Sequence, residues 1–342
     1  MSASEQAFRE LSHVFSTRGN QVLEIEIIPP SLGSSFLQDE ASIGLTKKAL
    51  VQAYTVAREL FFKHLVLVFE EGTRAQQSHD ELGDELGITE IMLLFDCEHL
   101  TACNWRKRQL LAAAARCAKA PDQIVPTKEM LKAELTLLTS FQTSPLHRHT
   151  KSPTLWSHRL WTVKQLLALE SLSTNAMLKL QYEELAYVLR AGELHPRNYY
   201  AFGYMRQLHS FLASIATVEG RPGWSLDLAK SLLDPVLNWC YAHPRDISGW
   251  TFGKYLLHQI SDQQIRNQVI ARALSFARDI GWEGESFWTF VDQTVREFSL
   301  EQVVHAIVPL ETEPSLSTGN APAWANRLAT AKVYWAAHKS PS

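Results

Sequence analysis

The chain has 342 residues, 46% of them hydrophobic and 20% charged, the profile of a folded chain rather than a disordered one. A net charge of −3 gives no global footprint for nucleic acid or for an anionic membrane, although a local basic groove remains compatible with it. Cys97, Cys103, Cys117 and Cys240 form no CxxC pair and fit no zinc template, so they read as buried thiols.

Residues 1–15 carry Glu5, Arg9 and Glu10 without an apolar core, so no signal peptide is expected there. No apolar run approaches the ~20 residues of a membrane span. The C-terminal Lys339-Ser340-Pro341-Ser342 holds no prenylation box. Together these features lead us to expect a reducing, cytoplasmic location.

In chain order, a short helix is expected around Ala7–Phe15. Residues 21–28 alternate apolar with acidic positions and are closed by Pro29-Pro30. One strand cannot build a sheet, so this segment reads as an extended arm lying on a helical body. Thr46–His64 reads as a helix capped by Thr46. Residues 70–87, acidic and carrying Gly83 and Gly87, read as a mobile loop. From Thr89 helical hairpins continue almost to Lys339, with a looser stretch at Glu311–Pro322. The expected organisation is an N-terminal arm and first helices at 1–88, helical repeats at 89–310, and a C-terminal loop and helix at 311–342.

The repeats are visible in four segments: Thr101–Arg108, Ser152–Arg159, Asn198–Met205 and Asp246–Gly253. Each opens with a residue type that caps helix N-termini and places Trp105, Trp156, Phe202 or Trp250 four residues on. Pro153 follows Ser152 at the first helical position, where its missing N–H does no harm. A weaker fifth copy runs from Gly284 to Trp288. His149-Thr-Lys151, His195-Pro-Arg197 and His243-Pro-Arg245 stand immediately before three of the capping residues. The intervening partner helices have cap candidates at Thr127, Thr174, Ser225 and Ser261. One such hairpin cannot bury its apolar stripe alone, and stacked neighbours supply the core. The aromatics are therefore expected to be buried between hairpins.

A capped helix with Trp at its fourth position and Arg three residues later resembles the repeat of protein prenyltransferase α subunits, whose core reads roughly Asn-Tyr-x-x-Trp-x-x-Arg. Trp105/Arg108 and Trp156/Arg159 match it, and Asn198-Tyr199 matches its opening. Met205 and Gly253 stand where the third and fourth copies would carry Arg. The resemblance extends over residues ~90–290, read as stacked repeats. It implies an all-α, right-handed α–α superhelix. Lys151–Arg159, Ile91–Arg108 and Ser248-Gly249 before Trp250 are most similar to a divergent branch of the family, which pairs with a Rab-type geranylgeranyltransferase β subunit.

The resemblance further implies a division of labour. Zinc, the substrate thiolate and most of the isoprenoid pocket belong to the β subunit, so this chain carries no metal or cofactor of its own. The α subunit contributes a Lys toward the diphosphate, and Lys151 stands in that place, five residues before Trp156. Arg197 and Arg245 occupy the same place in the next copies. Growing charge on a leaving diphosphate needs cations, and Lys acts there as a point charge. Two readings stay open for all three: a diphosphate or β-subunit contact, or solvated turn residues. Arg108 and Arg159 read as guanidinium groups binding carboxylates or carbonyls of a neighbouring hairpin. Tyr199, Tyr200 and Tyr204 are either a partner-facing patch or repeat packing. His147-Arg148-His149 lacks the third ligand of a metal site.

No P-loop, Rossmann glycine pattern, nucleophile elbow or HExxH motif occurs. The expected function is an α-like subunit of a heterodimeric protein prenyltransferase, inactive in prenyl transfer without its β subunit, with a prenyl diphosphate and a protein substrate bound through the complex. The alternative is a non-catalytic helical-repeat adaptor.

Overall fold

The structure is a computed structural model and describes residues 1–71, 79–117, 123–169, 173–218, 223–307 and 323–337. Helix α1 (Ala3–Thr17) opens with a capping box in which Ser2 and Glu5 satisfy each other's backbone N–H groups. Its Ala7, Leu11, Val14 and Phe15 fall on one face and are buried.

The arm that follows is part of a sheet, which corrects the single-strand expectation. Strands β1 (Glu24–Ile28), β2 (Phe36–Asp39) and β3 (Ser42–Thr46) form a sheet in the order β1-β3-β2. β1 runs parallel to β3, and β2 antiparallel to it. The partners were hidden because β2 is short and almost wholly exposed, so its residues show no apolar alternation. The arm does also lie on the helical body. The N–H groups of Leu23 and Ile25 donate to Ser140 Oγ and Ser144 Oγ, at 2.9 and 2.8 Å.

Thr46 ends β3 and caps α2 (Lys47–Glu71), accepting the Ala49 N–H at 3.2 Å. Helix α3 (His79–Phe95) then overturns most of the loop expected at 70–87: Ile88, Ile91, Met92 and Leu93 pull it against the core, and residues 72–78 alone lie outside the described residues. The hairpin helices are α4 (Leu100–Cys117), α5 (Ile124–Thr143), α6 (His147–Thr150), α7 (Pro153–Ala168), α8 (Thr174–Leu194), α9 (Tyr199–Val218), α10 (Trp224–Ala242), α11 (Ile247–Gln259), α12 (Gln263–Ile280) and α13 (Glu285–Phe298). They are followed by α14 (Glu301–Ile307) and α15 (Ala323–Ala337). The stretch read as loose at Glu311–Pro322 lies outside the described residues. The chain is an all-α helical-repeat protein carrying one small sheet.

The fold divides into two compact units, Met1–Met177 with Ala186–Tyr204, and Leu178–Leu185 with Met205–Ser342. The first buries Ile91–Leu94, Leu137, Leu138 and Phe141 against α1, the sheet and α2. The second packs α10 on α11 and α11 on α13. There Gly249 lets α11 approach α10 so closely that an added Cβ would lie 2.6 Å from the Trp239 ring.

Caps decide where the second helices start. Ser152 Oγ accepts the Leu155 N–H at 3.0 Å, Asn198 Oδ1 the Ala201 N–H at 3.2 Å, and Asp246 Oδ1 the Ser248 N–H at 2.8 Å. Gly284 precedes α13 in the same place. In the first copy the cap is not Thr101, which is inside α4. His99 Nδ1 accepts the Ala102 N–H at 3.2 Å, and the turn Asp96–Glu98 starts the helix early. The partner-helix caps also differ from expectation. Ser173 and Asp262 cap α8 and α12, one residue from Thr174 and Ser261, whereas α5 and α10 start without side-chain caps, leaving Thr127 and Ser225 inside their helices.

Candidate partner-binding turns

Counted from the observed caps, the repeat has a common register. The fourth residue after the cap is Cys103 in α4, then Trp156, Phe202, Trp250 and Trp288. Three of these indoles share one hydrogen bond. Trp156, Trp250 and Trp288 each donate Nε1–H to the carbonyl six residues upstream: Thr150 at 2.9 Å, Pro244 at 3.0 Å and Trp282 at 3.0 Å. The ring packs in the core while its polar edge latches the turn that precedes the helix. Phe202 cannot donate, and in its copy Asn198 Nδ2–H reaches back to the Thr150 carbonyl at 2.8 Å. Trp105 is also buried, but it packs edge-on against Phe61 of α2 and is not the counterpart of Trp156.

The shifted register corrects the reading of Arg108. The buried counterpart of Arg159 is Arg106, seven residues after its cap, while Arg108 is exposed and makes no ion pair among the described residues. Arg159 donates to Thr139 Oγ1 at 2.9 Å and Gln142 Oε1 at 3.3 Å, both on α5, and lies over the Tyr187 ring. It also donates to the Leu135 carbonyl of α5 at 3.5 Å, the kind of partner expected from the sequence. Arg106 instead forms the centre of a buried ionic network. It reaches Glu134 Oε2 at 2.5 Å and Glu90 Oε1 at 3.4 Å; Glu90 also takes Arg18 at 2.7 Å, and Glu134 takes His158 Nε2 at 2.7 Å. Burial disfavours the Glu134 carboxylate, but the Arg106 charge and the His158 bond outweigh it and hold this carboxyl well below its usual range. Burial likewise opposes a charged His158, and bonds with Cys103 and Glu134 outweigh it, raising its pKa. The network joins α1, α3, α4, α5 and α7. A carboxylate directly after a surface-looking Lys132-Ala133 on α5 gave no sequence signal of it.

The turns before α7 and α9 carry the residues singled out for partner or diphosphate contact. Lys151 follows α6 and donates Nζ to the Pro196 carbonyl at 3.0 Å, tying its own turn to the next one. His147 and His195 meet edge to face with ring centres 4.6 Å apart. Partial burial, then the nearness of His147 and Lys151, lower the His195 pKa. Arg197 occupies the left-handed region at φ 62°, where the chain reverses into the Asn198 cap. Tyr199 is 61% exposed and lies against Tyr200 with ring centres 4.3 Å apart. Tyr204 departs from this patch: it is buried against Trp156. His149 also turns inward, its Nε2 at 2.9 Å from the Leu93 carbonyl. The structure thus brings Lys151, His195, Arg197, Tyr199 and Tyr200 together on adjoining turns of the first unit. Arg245 lies in the second unit, its guanidinium 5.8 Å from the Trp282 ring centre and its carbonyl accepting Ser286 Oγ–H at 3.0 Å.

Tandem helical hairpins whose second helix is capped and latched by an aromatic define an all-α helical-repeat protein. Over 227 residues, 63% of the chain, the sequence is 24% identical to protein prenyltransferase alpha subunit repeat-containing protein 1 of Homo sapiens. The match covers 49% of that protein, so the chain spans about half the length of this curated relative. A family model described as the ECM9 middle domain matches residues 160–275, from α7 into α12. Among the described residues no helix is long and apolar enough to cross a membrane.

Proposed function

We propose that this chain is the α-like subunit of a heterodimeric protein prenyltransferase that transfers geranylgeranyl groups to protein cysteines in the cytoplasm. In this reading its hairpins scaffold a zinc-bearing β subunit of the Rab type, and Lys151 faces the isoprenoid diphosphate. The single observation that carries the reading is the turn Lys151–Ser152: a cation held beside the next turn, immediately before the capped helix whose Trp-x-x-Arg survives intact and buried. The similarity to the human repeat-containing protein supports it. Preorganised cations placed where charge develops are strong electrostatic stabilisers.

A specific contact favours a second reading, a non-catalytic adaptor. The Lys151 ammonium already has the Pro196 carbonyl as a partner, and Tyr199 beside it is an interface-type residue left exposed. Co-expression with a Rab-type β subunit separates the two. The first reading expects a stable heterodimer that turns over geranylgeranyl diphosphate, with Lys151→Ala lowering the single-turnover rate by roughly 10²–10³ and leaving assembly intact. A heterodimer whose Lys151→Ala variant keeps its single-turnover rate returns the residue to an interface role. Failure to form any heterodimer leaves the adaptor.

A further inference from the structure

Side chains occupy both edges of the sheet in the first unit. On the β1 side the Leu23 and Ile25 N–H groups are taken by Ser140 and Ser144 of α5. On the β2 side Ser34 Oγ accepts the Phe36 N–H at 3.3 Å and donates to the Phe36 carbonyl at 2.6 Å. A partner strand therefore has little edge to extend, and what the sheet leaves open is a face.

The register says which residues share that face. Side chains alternate along each strand, so Glu24 and Asp39 flank Ser42, while Glu26 and Leu37 flank Gly44. Ile25, Ile43 and Leu45 fall on the opposite face and are buried. The outer face thus has two rows across the strands, Glu24-Ser42-Asp39 and Glu26-Gly44-Leu37. These residues line a depression of about 550 Å³. Gly44 forms its floor: a Cβ there would lie 3.0 Å from Ile28 Cγ2 and 3.7 Å from Leu37 Cβ. Leu37 at its wall is 45% exposed.

The charge of this face has one sign. Residues 19–46 contain Glu24, Glu26, Asp39 and Glu40 and no Lys, Arg or His. None of those carboxylates has an ion pair among the described residues. Glu24 and Asp39 stand two strands apart, about 10 Å. Among the described residues no group of such side chains is placed to hold a metal ion. The charge is therefore spread over a surface rather than gathered at a point.

We propose that this face docks a basic segment of a partner protein, one that lays an arginine side chain across Gly44. The methylenes of the arginine would cover the glycine floor against Leu37, and its guanidinium would reach the carboxylates at the rim. Charge complementarity sets the sign of the partner. The exposed leucine beside a floor without a side chain sets the need for a long aliphatic stem. The inference stands on the sheet alone and does not depend on prenyl transfer.

The test is fluorescence anisotropy on the full chain with two labelled probes. One is a glycine-serine peptide carrying spaced arginines; the other replaces arginine by citrulline, which keeps the stem and removes the charge. The arginine peptide should bind and the citrulline peptide should not. Glu24→Gln combined with Glu26→Gln should weaken the arginine peptide by about tenfold or more. Leu37→Ser should weaken it by about threefold or more through lost apolar contact. Asp279→Asn combined with Glu283→Gln, exposed carboxylates of the second unit, should leave binding unchanged. All these side chains are exposed, so the variants test the surface without removing core contacts. Absence of binding by the arginine peptide overturns the proposal, as does equal weakening by the Asp279 and Glu283 pair. Equal affinity of the citrulline peptide overturns it by making the charge irrelevant. Unchanged affinity of Leu37→Ser overturns it by leaving only nonspecific attraction.

Discussion

The indole N–H of Trp156 is bonded to the carbonyl of Thr150, and that same carbonyl accepts the side-chain amide of Asn198 from the following hairpin. One backbone oxygen therefore fixes the turn before α7 and the start of α9 together, and between those two points lies Lys151. The recurrence of the indole bond at Trp250 and Trp288 makes it a property of the repeat.

Removing the two parts of this latch separately should give unequal costs. Trp156→Phe keeps most of the buried ring, and Asn198 still satisfies the Thr150 carbonyl, so the expected loss is about 0.5–1.5 kcal/mol. Trp156→Ala should cost about 3–5 kcal/mol. Urea denaturation of the two variants checks the order; equal losses would mean that the hydrogen bond, rather than the ring, does the work.

The corrected repeat register is tested by two arginines that are two residues apart. Arg106→Ala leaves Glu134 and Glu90 buried with reduced compensation, which should cost about 3–5 kcal/mol. Arg108→Ala, on the exposed side of the same helix, should stay within about 0.5 kcal/mol of the parent. Calorimetric melting would contradict the register if Arg108→Ala were the more damaging change.

His149 gives the first unit a pH dependence of defined sign. Burial lowers its pKa from 6.5 to about 4, against the opposing bond to the Leu93 carbonyl, with Arg148 and Asp96 acting from either side. The unfolded chain therefore binds the proton first. The stability contribution is complete above the unfolded value and is lost as pH falls through the interval down to about 4. His149→Gln keeps a donor toward Leu93 without titrating. Between about pH 7.5 and 5 the parent should lose roughly 2 kcal/mol more than this variant. Parallel denaturation curves for the two across that range would show that His149 is not the titrating group.

Two glycines in second helices should respond oppositely to alanine. At Gly249 the new Cβ would lie 2.6 Å from the Trp239 ring and 3.0 Å from Cys240 Sγ, so Gly249→Ala should destabilise by about 1–3 kcal/mol. At Gly203, on α9, nothing stands within 4 Å of the added carbon, and Gly203→Ala should stabilise by about 0.5–1 kcal/mol through helix propensity. Thermal melts of the pair measure how closely α11 sits on α10.

The sequence by itself determined the helical-hairpin class, the caps at Ser152, Asn198 and Asp246, and the aromatics of four second helices. All of these rest on local chemistry: a capping side chain bonds within three residues, and an aromatic at fixed distance from it is legible as a repeat. Three things were decided only by tertiary structure. The sheet exists because β3 pairs in parallel with β1 after the chain has passed through β2, a non-local pairing that the exposed residues of β2 do not announce. Arg106 rather than Arg108 is buried because His99 replaces Thr101 as the cap, and a histidine cap is not distinguishable in sequence from a surface imidazole. Glu90 and Glu134 converge on that arginine from two helices, with His158 of a third bonded to Glu134, and convergence of buried charges depends on where helices pack, which no spacing along one chain encodes.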